Sequence, residues 1–319
     1  MYAATRAVID IGSNSIKLRV IRREEKDKGE NDRGERDRAE NGLRVLADRT
    51  ELVRIGRGLG SGGIGEAEMR HGLEAIQRMA CAAEEMEAKP RIVGTMALRV
   101  AWNAEDFIRQ VFERTGIAVE VLSEEQEARL AWLGAVHSLG MKEGDVAVLD
   151  IGGGSTQLVV SSDSRITRCE SVPIGTVSLT EKFFASDPVE PDRVKEAVLH
   201  IQEAFVFGEA AVPGLSVIGL GGGVLALASV KQKFPSFVPG RLNGTLLTRT
   251  DVAAQKELYA SMPLAERMKI AALPPKRADI ALAGACIAQC ALDALRADSF
   301  RVSINGLRHG LLLEMFGQV

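Results

Sequence analysis

Two short stretches of this sequence carry the residue types that hold phosphate. Asp10-Ile11-Gly12-Ser13-Asn14-Ser15 and Asp150-Ile151-Gly152-Gly153-Gly154-Ser155-Thr156 each end an apolar run with an aspartate and follow it with small residues. A carboxylate at the end of a buried strand is costly unless something offsets its charge. A divalent cation would offset it. Small residues let backbone N–H groups approach phosphate oxygens closely. Ser13, Ser15, Ser155 and Thr156 add hydroxyl donors. Two such loops facing each other would make a two-sided phosphate clamp, with a hard cation, Mg²⁺ or Mn²⁺, held by Asp10, Asp150 and the phosphate. Either loop alone reads equally well as a hairpin turn capped by Asp. Their recurrence, with a third glycine cluster at 219–223 that includes Gly221 and Gly222, selects phosphate binding.

These loops need strands to hold them. Residues 7–9 and 16–21 flank the first, and 156–161 follow the second. Val146-Ala147-Val148-Leu149-Asp150-Ile151-Gly152 parallels Ala7-Val8-Ile9-Asp10-Ile11-Gly12, so the chain carries an internal duplication. Strands are expected at 43–53, 91–95, 117–122, 215–219 and 300–303. Helical spacing marks 66–88, 104–115, 124–139, 177–184, 193–207, 251–273 and 276–296, and a last helix starts at Gly306. Segment 54–65 has six glycines and reads as a loop. Glycines 140 and 144 read as a hinge, which divides the chain into domains 1–139 and 140–319, with the final helix packing back on the first. Residues 22–42 hold seven Lys/Arg, eight Asp/Glu and no apolar residue but Ala39, so they predict a solvated hairpin tip or a disordered segment, dispensable for chemistry.

Composition narrows the class. The chain has 319 residues, 46% hydrophobic and 26% charged, with a net charge of −3. That predicts a soluble protein of two domains. It supplies no global basic field for nucleic acid or an anionic membrane. No apolar run is long enough to span a bilayer, and the N-terminus runs straight into a strand pattern, so no secretory signal is expected. The four cysteines, Cys81, Cys169, Cys286 and Cys290, form no CxxC pair and fit a reduced cytoplasm. The four histidines show no metal-ligand spacing and are expected on the surface or in helices.

The duplicated Asp–Gly hairpin resembles the actin-like (ribonuclease H-like) ATPase superfamily. More of the chain resembles one branch, the exopolyphosphatase / guanosine pentaphosphate phosphohydrolase (Ppx/GppA) family in its short form. The stretches are Val8-Ile-Asp-Ile-Gly-Ser-Asn-Ser-Ile-Lys-Leu, Val53-Arg-Ile-Gly-Arg-Gly-Leu, Thr95-Met-Ala-Leu-Arg-Val-Ala-Trp-Asn and Ser123-Glu-Glu-Gln-Glu-Ala-Arg-Leu. Asp150-Ile-Gly-Gly-Gly-Ser-Thr, Pro173-Ile-Gly-Thr-Val-Ser-Leu-Thr-Glu, Arg277-Ala-Asp-Ile and Ser303-Ile-Asn-Gly-Leu-Arg-His-Gly follow in the family's order. The resemblance implies an α/β fold of two actin-like domains around an interdomain cleft. It implies that Glu127 orients and deprotonates the attacking water, although acidic residues also suit a helix N-terminus by opposing its dipole. It implies that Arg99 and Arg277 bind phosphate, against the alternative of surface salt bridges; Arg308 and His309 match more weakly. Gln157 departs from the family's usual Glu. An amide orients water but takes no proton, which puts a second carboxylate role in doubt. Met96, where the family commonly has Ser, removes one hydroxyl.

The resemblance therefore implies Mg²⁺-assisted release of terminal phosphate from inorganic polyphosphate or guanosine pentaphosphate, with a link to the stringent response. Two alternatives stand beside it. One is a non-catalytic or weakly catalytic regulator that binds polyphosphate or a guanosine alarmone. The other is a small-molecule kinase of the same superfamily, for which no acceptor motif is recognisable. The partner expected is the polyanionic substrate, with no nucleic acid and no membrane, and a homodimer as an open assembly state.

Overall fold

A computed structural model describes residues 5–24, 42–57, 59, 62–206 and 214–318. The chain divides into two compact units, Met1–Ser123 with Leu311–Val319, and Glu124–Gly310. Helix 124–139 and the two glycines read as a hinge lie inside the second unit. Gly140 and Gly144, at φ 65° and 72°, turn the chain between that helix and the next strand.

The first unit is built from β1 (Thr5–Ile11), β2 (Ser15–Arg23), β3 (Leu43–Leu52), α1 (Glu66–Glu84), β4 (Pro90–Gly94), α2 (Met96–Val100), α3 (Ala104–Thr115) and β5 (Val119–Val121). Its sheet has the order β3-β2-β1-β4-β5. The first three strands are antiparallel, and β4 and β5 add in parallel through the helical crossovers. Ala7, Ile9, Ile11, Ile16, Leu18 and Val20 fill one face together with Leu73, Ile76 and Met79 of α1 and Phe107 and Val111 of α3. Each fully buried Ile, Leu or Phe contributes about 1.5–3 kcal/mol. Asp10 and Lys17 have the opposite parity and leave the sheet on its other face. α3 ends at Gly116, whose left-handed φ of 67° lets its N–H reach the Phe112 carbonyl.

The second unit contains α4 (Glu124–Leu139), β6 (Asp145–Ile151), β7 (Thr156–Ser162), β8 (Arg165–Val172), α5 (Thr176–Phe183), α6 (Pro191–Ala204), β9 (Ser216–Leu220), α7 (Gly222–Lys231), β10 (Leu246–Thr248), α8 (Arg249–Ala260), α9 (Leu264–Arg267), α10 (Ala281–Ala294) and β11 (Ser299–Val302). α11 (Leu307–Met315) then carries the chain into its C-terminal segment. The sheet order is β10-β11-β9-β6-β7-β8. Five of its strands, β11-β9-β6-β7-β8, repeat the hydrogen-bonding plan of the first sheet, with β10 added on one edge. α4 covers one face, where Ala128, Ala131, Trp132 and Ala135 meet Val146, Val148, Val159 and Ile218. α5, α6, α7 and α10 share the core of the other face. Cys286 and Cys290 lie within α10, and burial pushes both thiols up to about 12. They fill the core.

Both units have the α/β, actin-like plan, and the duplication runs deeper than the loops. The two later hairpins, β2–β3 in the first unit and β7–β8 in the second, have a register shift at the same repeat position, Val20/Ile21 and Val160/Ser161. The second hairpin turns tightly through Asp163 and Ser164. The first is longer by the charged segment. Of that segment, Arg22 and Arg23 extend β2. Arg22 Nε donates to the Thr5 hydroxyl at 3.2 Å, and Arg23 donates to the Phe316 carbonyl. Residues 25–41 lie outside the described residues.

Elsewhere the reading needs correction. The long helix expected at 251–273 stops at Ala260, and Pro263 opens the short α9. The helix expected from 276 starts at Ala281, because Pro274 and Pro275 impose a 3₁₀ turn through Arg277. Strand β8 was missed because its polar, half-exposed residues suit an outer strand and not an apolar run. β10 is only three residues long. His309 lies in α11, one of the two placements expected, and is 5% exposed, with its ring 5.7 Å from that of His137.

Candidate active site

Strand parity assembles the second unit's site. Along β6, Ala147, Leu149 and Ile151 face the larger core, whereas Val146 and Val148 face α4. Asp150 shares the parity of the latter pair, so its carboxylate leaves the sheet on the α4 face. Gln157 is its ladder partner across the hairpin. A hydrogen bond and the charges felt by one thiol orient α4. Trp132 Nε1 donates to the Ser161 hydroxyl at 2.9 Å, near the far end of β7. Cys169 pairs with Val159 in the ladder, and its thiol is pushed up by burial and by the charges of Glu125 and Glu124. The first turn of α4 therefore lies toward the Gln157 end. Glu127 stands half-buried on that turn.

The second loop is closed by the Gly152 amide, which donates to the Ser155 carbonyl at 2.9 Å. Gln157 is 3% exposed, and its Nε2 donates to the Ser155 hydroxyl at 2.7 Å. Thr156 is fully buried and donates its hydroxyl to the Ile174 carbonyl at 2.7 Å, so that side chain is turned toward the segment after β8. The glycine cluster meets the same end of the sheet. Gly221 has φ 102°, and a Cβ there would overlap the Ile151 carbonyl and lie 3.3 Å from Asp150 Oδ1. A Cβ on Gly222 would overlap the Arg277 guanidinium, whose Nη1 donates to the Gly222 carbonyl at 2.9 Å. The Arg277 guanidinium sits 5.6 Å from the centre of the Phe237 ring, and burial pulls its pKa down from the usual arginine value. Asp150, Gln157, the 152–156 loop, Gly221, Gly222 and Arg277 are thus one cluster.

The first unit builds a matching loop. The Gly12 amide donates to the Ser15 carbonyl at 3.1 Å. Asp10, Ser13 and Ser15 are all less than a tenth exposed, and Asn14 is half-buried. Arg99, on α2, donates from Nη1 to the Leu122 carbonyl at 2.8 Å, just past β5. One residue here was missed by sequence reasoning. Lys17 pairs with Asp10 in the ladder as Gln157 pairs with Asp150, and its Nζ lies 3.9 Å from Asp10 Oδ2. The signal was present, since each stands seven residues beyond its aspartate.

The donor set decides what cation fits. Among the described residues no group of three or more His, Cys, Asp or Glu could hold a metal. An all-protein cage is thus not on offer for zinc. One carboxylate with space kept open by Gly221 suits Mg²⁺ or Mn²⁺, which retain waters and bind substrate phosphates alongside one or two carboxylates. No described helix is long and apolar enough to cross a membrane.

Comparison with known proteins agrees with this fold. A solved structure of the Aquifex aeolicus PPX-GPPA enzyme is 30% identical, with a TM-score of 0.78, covering 97% of this chain and 99% of that one. An exopolyphosphatase-like protein of known structure is 25% identical with a TM-score of 0.87, covering 99% of both chains. A curated relative, the bifunctional 3-dehydroquinate synthase/phosphatase of Fusobacterium nucleatum, is 26% identical over 318 residues, and the chain spans 46% of its length. The Ppx/GppA phosphatase family model matches residues 35–319, and the chain belongs to that family.

Proposed function

We propose that this protein is a phosphohydrolase that releases the terminal phosphate from inorganic polyphosphate, guanosine pentaphosphate or both. The observation that carries the reading is the cluster in the second unit. Asp150 and Gln157 leave the sheet on the face covered by α4, the helix whose first turn carries Glu127. Glu127 is the general base and takes the proton of the attacking water. Gln157 orients that water through its amide, already aligned by Ser155. The Gly152 amide and the Thr156 hydroxyl, expected from the sequence to hold phosphate, are spent on the Ser155 and Ile174 carbonyls, so the amides of Gly153 and Gly154, the Ser155 hydroxyl, and the backbone at Gly221 and Gly222 bind the phosphoryl oxygens. Arg277 adds a fixed cation. Ser13, Asn14, Ser15 and Arg99 form a second phosphate-binding set in the first unit. Asp150 would hold Mg²⁺ or Mn²⁺ in the second unit, and Asp10 is the matching carboxylate of the first; the bound cation would supply charge neutralisation for phosphoryl transfer. Free thiols at all four cysteines support a cytoplasmic site of action.

Gln157 favours a second reading. It is buried and donates to a neighbouring hydroxyl, a bond that a carboxylate in its place could not donate. That suits a protein that binds a polyphosphate or alarmone and hydrolyses it slowly or not at all. One assay separates the two. The purified protein is incubated with Mg²⁺ and either polyphosphate or guanosine pentaphosphate, and released phosphate is followed. Turnover that Asp150→Asn removes, with weaker Mn²⁺ binding, supports the hydrolase. Tight binding of either ligand without phosphate release supports the regulator.

A further inference from the structure

A four-residue motif recurs behind the two loops. Val53-Arg54-Ile55-Gly56 follows β3, and Val172-Pro173-Ile174-Gly175 runs from the last residue of β8. In both, the isoleucine is buried in its unit's core and the glycine lies against the loop. In the first unit, Val53 and Arg54 donate their amides to the Asn14 carbonyl at 3.2 and 3.0 Å, and Gly56 donates to the Ser13 carbonyl at 2.7 Å. In the second, Thr176 donates to the Gly152 carbonyl at 3.0 Å, and Val177 and Ser178 donate to the Gly153 carbonyl at 2.7 and 3.2 Å. Contact leaves no room for a side chain. A Cβ on Gly56 would lie 2.7 Å from Ser13 Cβ. A Cβ on Gly175 would overlap the Gly153 carbonyl and the Gly154 nitrogen.

We propose that these two segments are straps whose positioning residues, Gly56 and Gly175, hold the loops in the form that receives phosphate. The proposal rests on the phosphate-binding reading of the loops. In a tight turn of small residues, carbonyls tied to a strap on one side leave amides free to point to the other. A glycine-rich loop without such ties samples both signs of φ, and ordering it on binding costs about 1–2 kcal/mol per residue. The strap meets that cost at folding, so the ligand does not.

Two features argue for a selected device. In the second unit the strap donors are the first amides of α5, and in the first unit they belong to an irregular segment. The carbonyl at one repeat position, Ser13 or Gly153, is tied in both units by different local structures, so the tie is not a by-product of helix capping. In addition, the α5 amides at Thr176, Val177 and Ser178 are consumed by loop carbonyls, and the Gly175 amide donates to the Ser178 hydroxyl at 3.0 Å. The helix end therefore binds the loop, and the loop is left to bind the anion.

The test uses the full chain and tripolyphosphate binding by calorimetry, with polyphosphate hydrolysis kinetics alongside. Gly175→Ala drives a methyl into the loop. Thr176→Pro deletes one strap amide at the first position of α5, where proline is tolerated, and the extended backbone of Gly175 accepts a following proline. Gly56→Ala repeats the test in the first unit. Expected for each folded variant is about a tenfold or greater rise in both the tripolyphosphate dissociation constant and KM, with kcat changed by less than about threefold, the split that marks lost uniform binding. Wild-type affinity in both folded Gly175→Ala and Thr176→Pro overturns the strap. So does a fall in kcat at unchanged KM. A wild-type protein that does not bind tripolyphosphate at all overturns the phosphate reading itself.

Discussion

Asp10 and Asp150 occupy the same place in two copies of one hairpin, yet they face different partners. Asp150 looks across its ladder at a neutral amide, Gln157, and Asp10 at a cation, Lys17. The base assignment predicts that Glu127→Gln removes about 10²- to 10⁴-fold of rate while substrate still binds, since the phosphate donors are other groups. Gln157→Glu would set two carboxylates side by side and lose the donor to Ser155. We expect tighter Mn²⁺ binding and a raised KM, as the added charge repels phosphate. A faster rate at unchanged KM would instead mark Gln157 as a lapsed base. At the other aspartate, Lys17 is a third exposed and sits 3.9 Å away, so screening limits the pair. Lys17→Gln should cost about 1 kcal/mol, read as a lower urea midpoint. Adding Asp10→Asn should restore most of it. A double variant no more stable than Lys17→Gln would show that the two charges are not coupled.

Helix ends supply a measurement at the scale of elements. The Thr248 hydroxyl accepts the Asp251 amide of α8 at 3.2 Å, and the Asp251 carboxylate accepts the Thr248 amide at 2.8 Å and Lys231 Nζ at 2.6 Å. Burial alone would push the Asp251 carboxyl up, but the bonds from Lys231 and Thr248 outweigh it and hold the pKa below the usual 3.8. Such a group stabilises the fold fully above its unfolded value, and that contribution is lost as pH falls through the folded one. Asp251→Asn should therefore cost about 1 kcal/mol at pH 7, and the gap to wild type should close as pH falls below 3.8. Urea titrations across that range would show it; a gap independent of pH would mean the cap does not depend on the charge. The same scale explains what was legible in the sequence. The helices Ala104–Thr115 and Glu124–Leu139 could be bounded to the residue, because glycine or proline punctuation coincides with the end of the apolar spacing. Loops 10–15 and 150–156 were legible because composition alone makes them so. Strand β8 was not, since its outer face is polar and its pairing is set by β7. The Val-x-Ile-Gly straps are not legible as a repeat. Their equivalence rests on ladder register, which the long first hairpin shifts out of step in the sequence.

That shift is a property of the whole chain. Glu24 already closes the first hairpin by donating to the Gly42 carbonyl at 2.8 Å, and the second hairpin manages the same turn with Asp163 and Ser164 at φ 46° and 66°. Replacing residues 25–41 by a short Asn-Gly turn should thus keep phosphate release within about threefold. A loss of tenfold, about 1.4 kcal/mol of barrier, would mean the charged stretch reaches the substrate. The other end of the chain behaves differently. Residues 311–319 belong to the first unit although they follow the second. Leu311, Leu312 and Leu313 are fully buried, and Arg23 of β2 donates to the Phe316 carbonyl with its guanidinium 5.1 Å from that ring. The first unit is therefore discontinuous in sequence and incomplete when cut at Ser123. A fragment of residues 1–123 should fail to give a cooperative thermal transition, and the same fragment joined through a short Gly/Ser linker to residues 311–319 should regain one. A cooperative transition in the shorter fragment would show that the returning segment decorates the first unit without completing it.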